Sequence, residues 1–82
     1  MPLKLILVRA DWDDDAGVWV ASSGDVPGLV TEAETLEILT AKVKVMIPEL
    51  LEANGIICDS PEIPVVITSS QSTRVLAPKV AA

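Results

Sequence analysis

The 82-residue chain has no histidine, no tyrosine and no phenylalanine; cysteine occurs once and tryptophan twice. Without histidine the usual general base for a serine or cysteine nucleophile is missing, so nucleophilic catalysis is poorly supplied. One cysteine, Cys58, can form no internal disulfide, which suits a reducing compartment. No cation adjoins it in "GIICDS", so it reads as a small hydrophobe rather than an activated thiolate. Two aromatic rings are too few for a base-stacking surface. Basic residues are also scarce: six Lys and Arg face twelve Asp and Glu, for a net charge of −6. Phosphate backbones are bound chiefly through Lys and Arg, so no direct nucleic-acid contact is expected. No apolar run approaches the roughly 18 residues of a membrane span. The start, "MPLKLILVRAD", meets charge at Arg9 and lacks a small-residue cleavage pattern. A cytoplasmic protein without membrane contact is expected.

What the chain does have is apolar bulk. Half of its residues are hydrophobic, and the mean hydropathy is +0.48. A domain this small has much surface for its volume, so part of the apolar area is expected in a subunit interface, as a homodimer or a higher homo-oligomer. The acidic balance suits a basic protein partner, whose approach it would accelerate.

"LKLILVRA", Leu3–Ala10, reads as a strand with both alternating sets apolar (Leu3, Leu5 and Leu7 against Ile6, Val8 and Ala10), which predicts cover on both faces. "DWDDDAG", Asp11–Gly17, reads as a solvated turn, and "VWVASS" returns to strand, making a hairpin. "GDVPG" is a second turn and "LVTEAE" a short third strand. Thr35 is a candidate N-cap for a helix over 36–54, with Glu37 in its first turn and Gly55 just past its end. Leu36, Leu39, Val43, Met46, Ile47, Leu50 and Leu51 form a stripe broad enough to cover a sheet. Ile38, Ala41 and Val45 form a smaller opposite strip, a candidate oligomer contact. Pro48 predicts a kink or a fresh helical start. Ile63–Thr68 reads as a last strand, placed at an edge by Pro61 and Pro64.

The fold expected is therefore α+β: a three- to four-stranded antiparallel sheet in the order β-β-β-α-β, with one long helix on one face. Residues 1–68 form the domain, and 69–82 a flexible tail or an arm onto another subunit.

The string "WDDDAGVWVASSGDVPGLVTEAETLEILTAKVKVMIPELLE", Trp12–Glu52, resembles the HicB-like antitoxin family in a short single-domain form. The pattern is an acidic turn, a glycine, an aromatic strand, then D-x-P-G leading through threonines into a helix. Here it falls on Gly17, Trp19, Asp25, Pro27, Gly28, Thr31, Thr35 and Leu36. The resemblance implies an αβ domain that sequesters HicA, a small basic ribonuclease. Leu29 stands where the family often has cysteine, and a C-terminal DNA-binding module is not expected after the fourth strand, so operator binding is not implied. On this resemblance and the charge, Trp12, Asp13, Asp14 and Asp15 at the hairpin are the partner-binding candidates, with Glu32 and Glu34 as secondary contacts. The alternative is a stand-alone oligomeric domain with no toxin, binding a small ligand or a larger assembly.

Other readings of the acids are weaker. The D-x-D-x-D spacing from Asp11 resembles a calcium loop, but the sixth position is Ala16 and the twelfth Ser22, where glycine and glutamate are required. Asp11, Asp25 and Glu32 could be recruited to a two-metal nuclease only if tertiary structure converged them. No metal, no cofactor and no enzymatic activity are expected. Trp12 reads equally as a partner anchor or a lid on the hairpin, whereas Trp19 is expected in the core. Asp25, Pro27 and Gly28 read as turn architecture. Lys42 and Lys44 lie on opposite helix flanks, an ordinary solvated surface.

Overall fold

A computed structural model describes residues 2–81. Four strands and one helix follow the expected order: β1 (Ile6–Asp13), β2 (Val18–Ser22), β3 (Val30–Ala33), α1 (Leu36–Ala53) and β4 (Val65–Ser70). The strands form one sheet in the spatial order β3-β2-β1-β4. The first three are an antiparallel meander, since four residues or a short loop suffice to reverse the chain. β4 differs from an all-antiparallel sheet: it pairs with β1 in parallel, with Ile6 opposite Val65 and Asp11 opposite Ser70. The helix is the reason. It carries the chain back along the sheet after β3, so the next strand must run in the same direction as β1 and β3.

α1 begins where the sequence says. Thr35 is extended and its Oγ1 accepts from the Ile38 N–H at 3.1 Å. The helix ends on Asn54, whose side chain donates to Leu50 O (2.8 Å) and to Pro27 O (3.2 Å), tying the helix end to the second turn. Gly55 follows with φ 64°. Pro48 neither ends nor restarts the helix, which runs unbroken from Leu36 to Ala53. Pro48 and Lys44, whose carbonyl loses its N–H partner, are both exposed, so water can serve that oxygen.

The core lies between one sheet face and the buried helix positions Leu39, Val43, Ile47 and Leu51. The sheet supplies Ile6, Val8, Ala10, Ala21 and Ala33, all buried. Ala10 and Ala21 are cross-strand partners, and such small side chains let the larger helical ones come close. Val26 and Leu29 complete the core from the turn the sequence marks only as punctuation. Val26-Pro27-Gly28-Leu29 is a tight turn with Leu29 N donating to Val26 O at 3.1 Å and Gly28 at φ 87°. Proline second and a positive-φ glycine third are the type II requirement, and that geometry turns both flanking side chains inward. Each fully buried aliphatic side chain contributes about 1.5–3 kcal/mol of transfer free energy.

The opposite sheet face has no cover among the described residues. β1 starts at Ile6 rather than Leu3, and Leu5 and Leu7 are exposed. Cover on both faces of β1 is therefore corrected to cover on one. Leu3 is half-buried and is held in an isolated parallel bridge with Cys58, its N–H donating to Ile57 O at 2.8 Å.

Candidate partner-binding site

The acidic stretch divides between strand and turn. Asp11, Trp12 and Asp13 belong to β1, and only Asp14–Gly17 form the loop, with Asp13 opposite Val18. The four carboxylates have different tasks. Asp13 Oδ1 accepts from the N–H groups of Asp15 (3.1 Å) and Ala16 (3.2 Å), and its carbonyl accepts from Gly17 N at 2.8 Å. This is an Asx-type closure of the turn, completed by Gly17 at φ 68°. Asp14 Oδ1 accepts from the Trp12 indole N–H at 3.3 Å. Asp11 makes an exposed ion pair with Arg9 at 3.3 Å, the kind of pair that contributes little. Asp15 is exposed at the tip. Among the described residues no group of three or more His, Cys, Asp or Glu is arranged to hold a metal ion.

Closing the loop over four residues places Trp12 directly opposite Trp19. Their rings meet edge to face, with centroids 5.4 Å apart and planes at 61°. Both indoles are half-buried, so Trp19 packs beside the core rather than inside it. The pair forms the wall of an open cleft of about 390 Å³, whose rim carries Glu34, Glu37 and Gln71, with Thr35 and Leu36 between. Two aromatic faces beside two carboxylates suit a guanidinium or ammonium group: the rings attract the cation and the carboxylates neutralise it. The helix start adds roughly half a positive charge here, which the two carboxylates outweigh.

Of the residues singled out by sequence, Trp12, Asp14 and Glu34 come together at this end of the molecule, with Asp13 and Asp15 on the adjoining tip. Glu32 does not join them. It is the cross-strand partner of Val20 on the uncovered sheet face, and its carbonyl accepts from Lys42 Nζ at 2.7 Å. Trp19 enters the site through strand pairing, Glu37 through the start of α1 and Gln71 just past the end of β4, and only Trp19 has a legible signal: the loop length that sets it opposite Trp12. Ile38, Ala41 and Val45 are exposed along the outer helix flank.

Asp25 is turn architecture. Its Oδ2 accepts from Leu7 N (2.8 Å), Ser23 Oγ donates to Leu7 O (2.6 Å), and Asp25 N donates to Ser23 Oγ (3.1 Å). These side chains continue the β1–β2 ladder where backbone pairing stops. Cys58 is half-buried and unpaired, packed against the core. No helix among the described residues is long and apolar enough to cross a membrane.

Comparison with known proteins agrees with this architecture. A crystal structure of a hypothetical protein from the extremely thermophilic bacterium Thermus thermophilus is similar at 50% identity and a TM-score of 0.67, over 90% of this chain and 100% of that one. A comparison with curated proteins returns no match. The model of a domain of unknown function, DUF1902, matches residues 5–81, and with nearly its whole length inside that match the chain belongs to the DUF1902 family.

Proposed function

We propose that this is a non-enzymatic interaction protein of HicB-like type, which binds a small basic ribonuclease of the HicA class and occludes its RNA groove. The observation that carries the reading is the Trp12–Trp19 cleft with Glu34 and Glu37 on its rim and Asp14 and Asp15 beside it. A partner arginine or lysine inserted over the indoles would be held by cation–π attraction and by the carboxylates. The surrounding negative charge would occupy the positive field that RNA phosphates otherwise use. The absence of histidine supports a binding rather than a catalytic role.

The test is titration against a HicA-type ribonuclease encoded in the same genome, with RNA cleavage as the second readout. Asp13 is left intact because it closes the turn. Asp14→Lys with Asp15→Lys, and separately Glu34→Lys with Glu37→Lys, are expected to weaken binding by about thirtyfold or more and to release cleavage. Full neutralisation by both charge-reversed proteins overturns the site. The second reading, a stand-alone oligomeric domain without a toxin, is favoured by the uncovered sheet face and predicts no binding to any such ribonuclease.

A further inference from the structure

Beyond β4, Gln71–Arg74 run past the Asp14 loop, and residues 75–81 belong to no strand or helix. Residues 71–81 are exposed throughout, with Val75, Leu76 and Val80 at 87%, 99% and 86% exposure. The dimensions report the same thing. A compact chain of this length has a radius of gyration of about 12 Å, whereas this one has 16.6 Å and extends 57 × 24 × 18 Å. A folded monomer of this mass exposes about 4,700 Å²; this chain exposes 6298 Å². The excess, about 1,600 Å², exceeds the roughly 800 Å² that each partner contributes to a standard stable interface.

The uncovered sheet face has matching needs. It presents Leu5, Leu7, Val30 and Val66 with 41% or more of each exposed, and Leu7 and Val66 are cross-strand neighbours. A hollow of about 340 Å³ opens there between Leu7, Ser23, Asp25 and Thr68. Charge is complementary. Residues 71–82 carry Arg74 and Lys79 and no acid, whereas residues 1–70 hold all twelve acids and four bases. Asp11, Asp13 and Glu32 lie on the uncovered face, against one base, Arg9.

We infer that the protein is an arm-exchanged homodimer, in which residues 72–81 of each copy cross the uncovered sheet face of the other. Leu76 seats in the hollow beside Leu7, and Arg74 and Lys79 meet the carboxylates of Asp11, Asp13 and Glu32. The second cover that the doubly apolar β1 calls for thus comes from the partner. This assembly is independent of any toxin, and the Trp12–Trp19 cleft lies on the other side of the sheet.

Sedimentation equilibrium of the full chain tests it, with circular dichroism and tryptophan fluorescence as folding controls. The wild type is expected at twice 8.7 kDa. Leu76→Asp and Leu7→Asp are each expected to raise the dimer dissociation constant by about thirtyfold or more. Val30→Asp, also exposed on that face, stands in if Leu7→Asp does not fold. Mixing the arm variant with the face variant restores one intact arm-on-face contact, so the mixture must dimerise more tightly than either alone. A monomeric wild type, a dimer indifferent to Leu76→Asp, or a mixture no tighter than its components overturns the proposal. So does a dimer lost on Val45→Asp but not on Leu76→Asp, which would place the interface on the helix.

Discussion

At the scale of single residues, the molecule turns on a few side chains whose neighbours give them a task that their type alone does not. Asp13 and Asp14 are adjacent and chemically identical, yet one closes a turn through two backbone N–H groups and the other holds an indole. Ala21 is the clearest packing case. It is fully buried, opposite Ala10 and beneath the helix, where a larger side chain has no room. Ala21→Leu is expected to destabilise the fold by about 1–3 kcal/mol through overpacking, seen as a lower urea midpoint at unchanged slope. An unchanged or higher midpoint would mean that the helix does not approach the sheet closely there.

At the scale of elements, the hairpin and the helix behave as local chemistry dictates, with one exception. Thr35 caps α1, Gly55 follows it in the left-handed region, and the broad apolar stripe faces the sheet. The exception is Pro48, which tertiary packing tolerates: Ile47 and Leu51 on either side are buried and hold the helix in register across it. Its cost should therefore be recoverable. Pro48→Ala is expected to stabilise the protein by about 1–2 kcal/mol, since the restored hydrogen bond and lost ring clash outweigh the added freedom of the unfolded chain. Thermal unfolding measures this; a fall in midpoint would show that the proline shapes the helix for packing. β4 was legible as an edge strand from its prolines, but its direction was not, because direction depends on what precedes it in space.

At the scale of the whole molecule, charge and apolar surface are unevenly distributed. The acids concentrate before residue 71 and the last dozen residues are basic, so one chain carries both halves of an electrostatic contact. For a basic partner at the Trp12–Trp19 cleft, attraction should act mainly on the rate of encounter. Stopped-flow association is expected to slow by about tenfold or more between low salt and about 0.5 M salt, with dissociation changing much less. A salt-insensitive association rate would remove charge steering from the binding mechanism.

The local periodicities sufficed for the order of elements, the helix caps and the class of fold, because each depends on residues within a turn or two of one another. They also marked Trp12 and the acidic tip. They could not assign Val26 and Leu29 to the core, since a turn signal says where the chain reverses and not which way its flanking side chains point. Nor could they separate Glu32 from Glu34, two residues apart in β3 and beyond it, until strand pairing assigned Glu32 to the uncovered face. The doubly apolar alternation of β1 was real in the sequence, but only tertiary structure decided that one helix covers one face, leaving Leu5 and Leu7 open. Long-range pairing makes that decision, because burial is a property of what lies across the sheet and not of the strand itself.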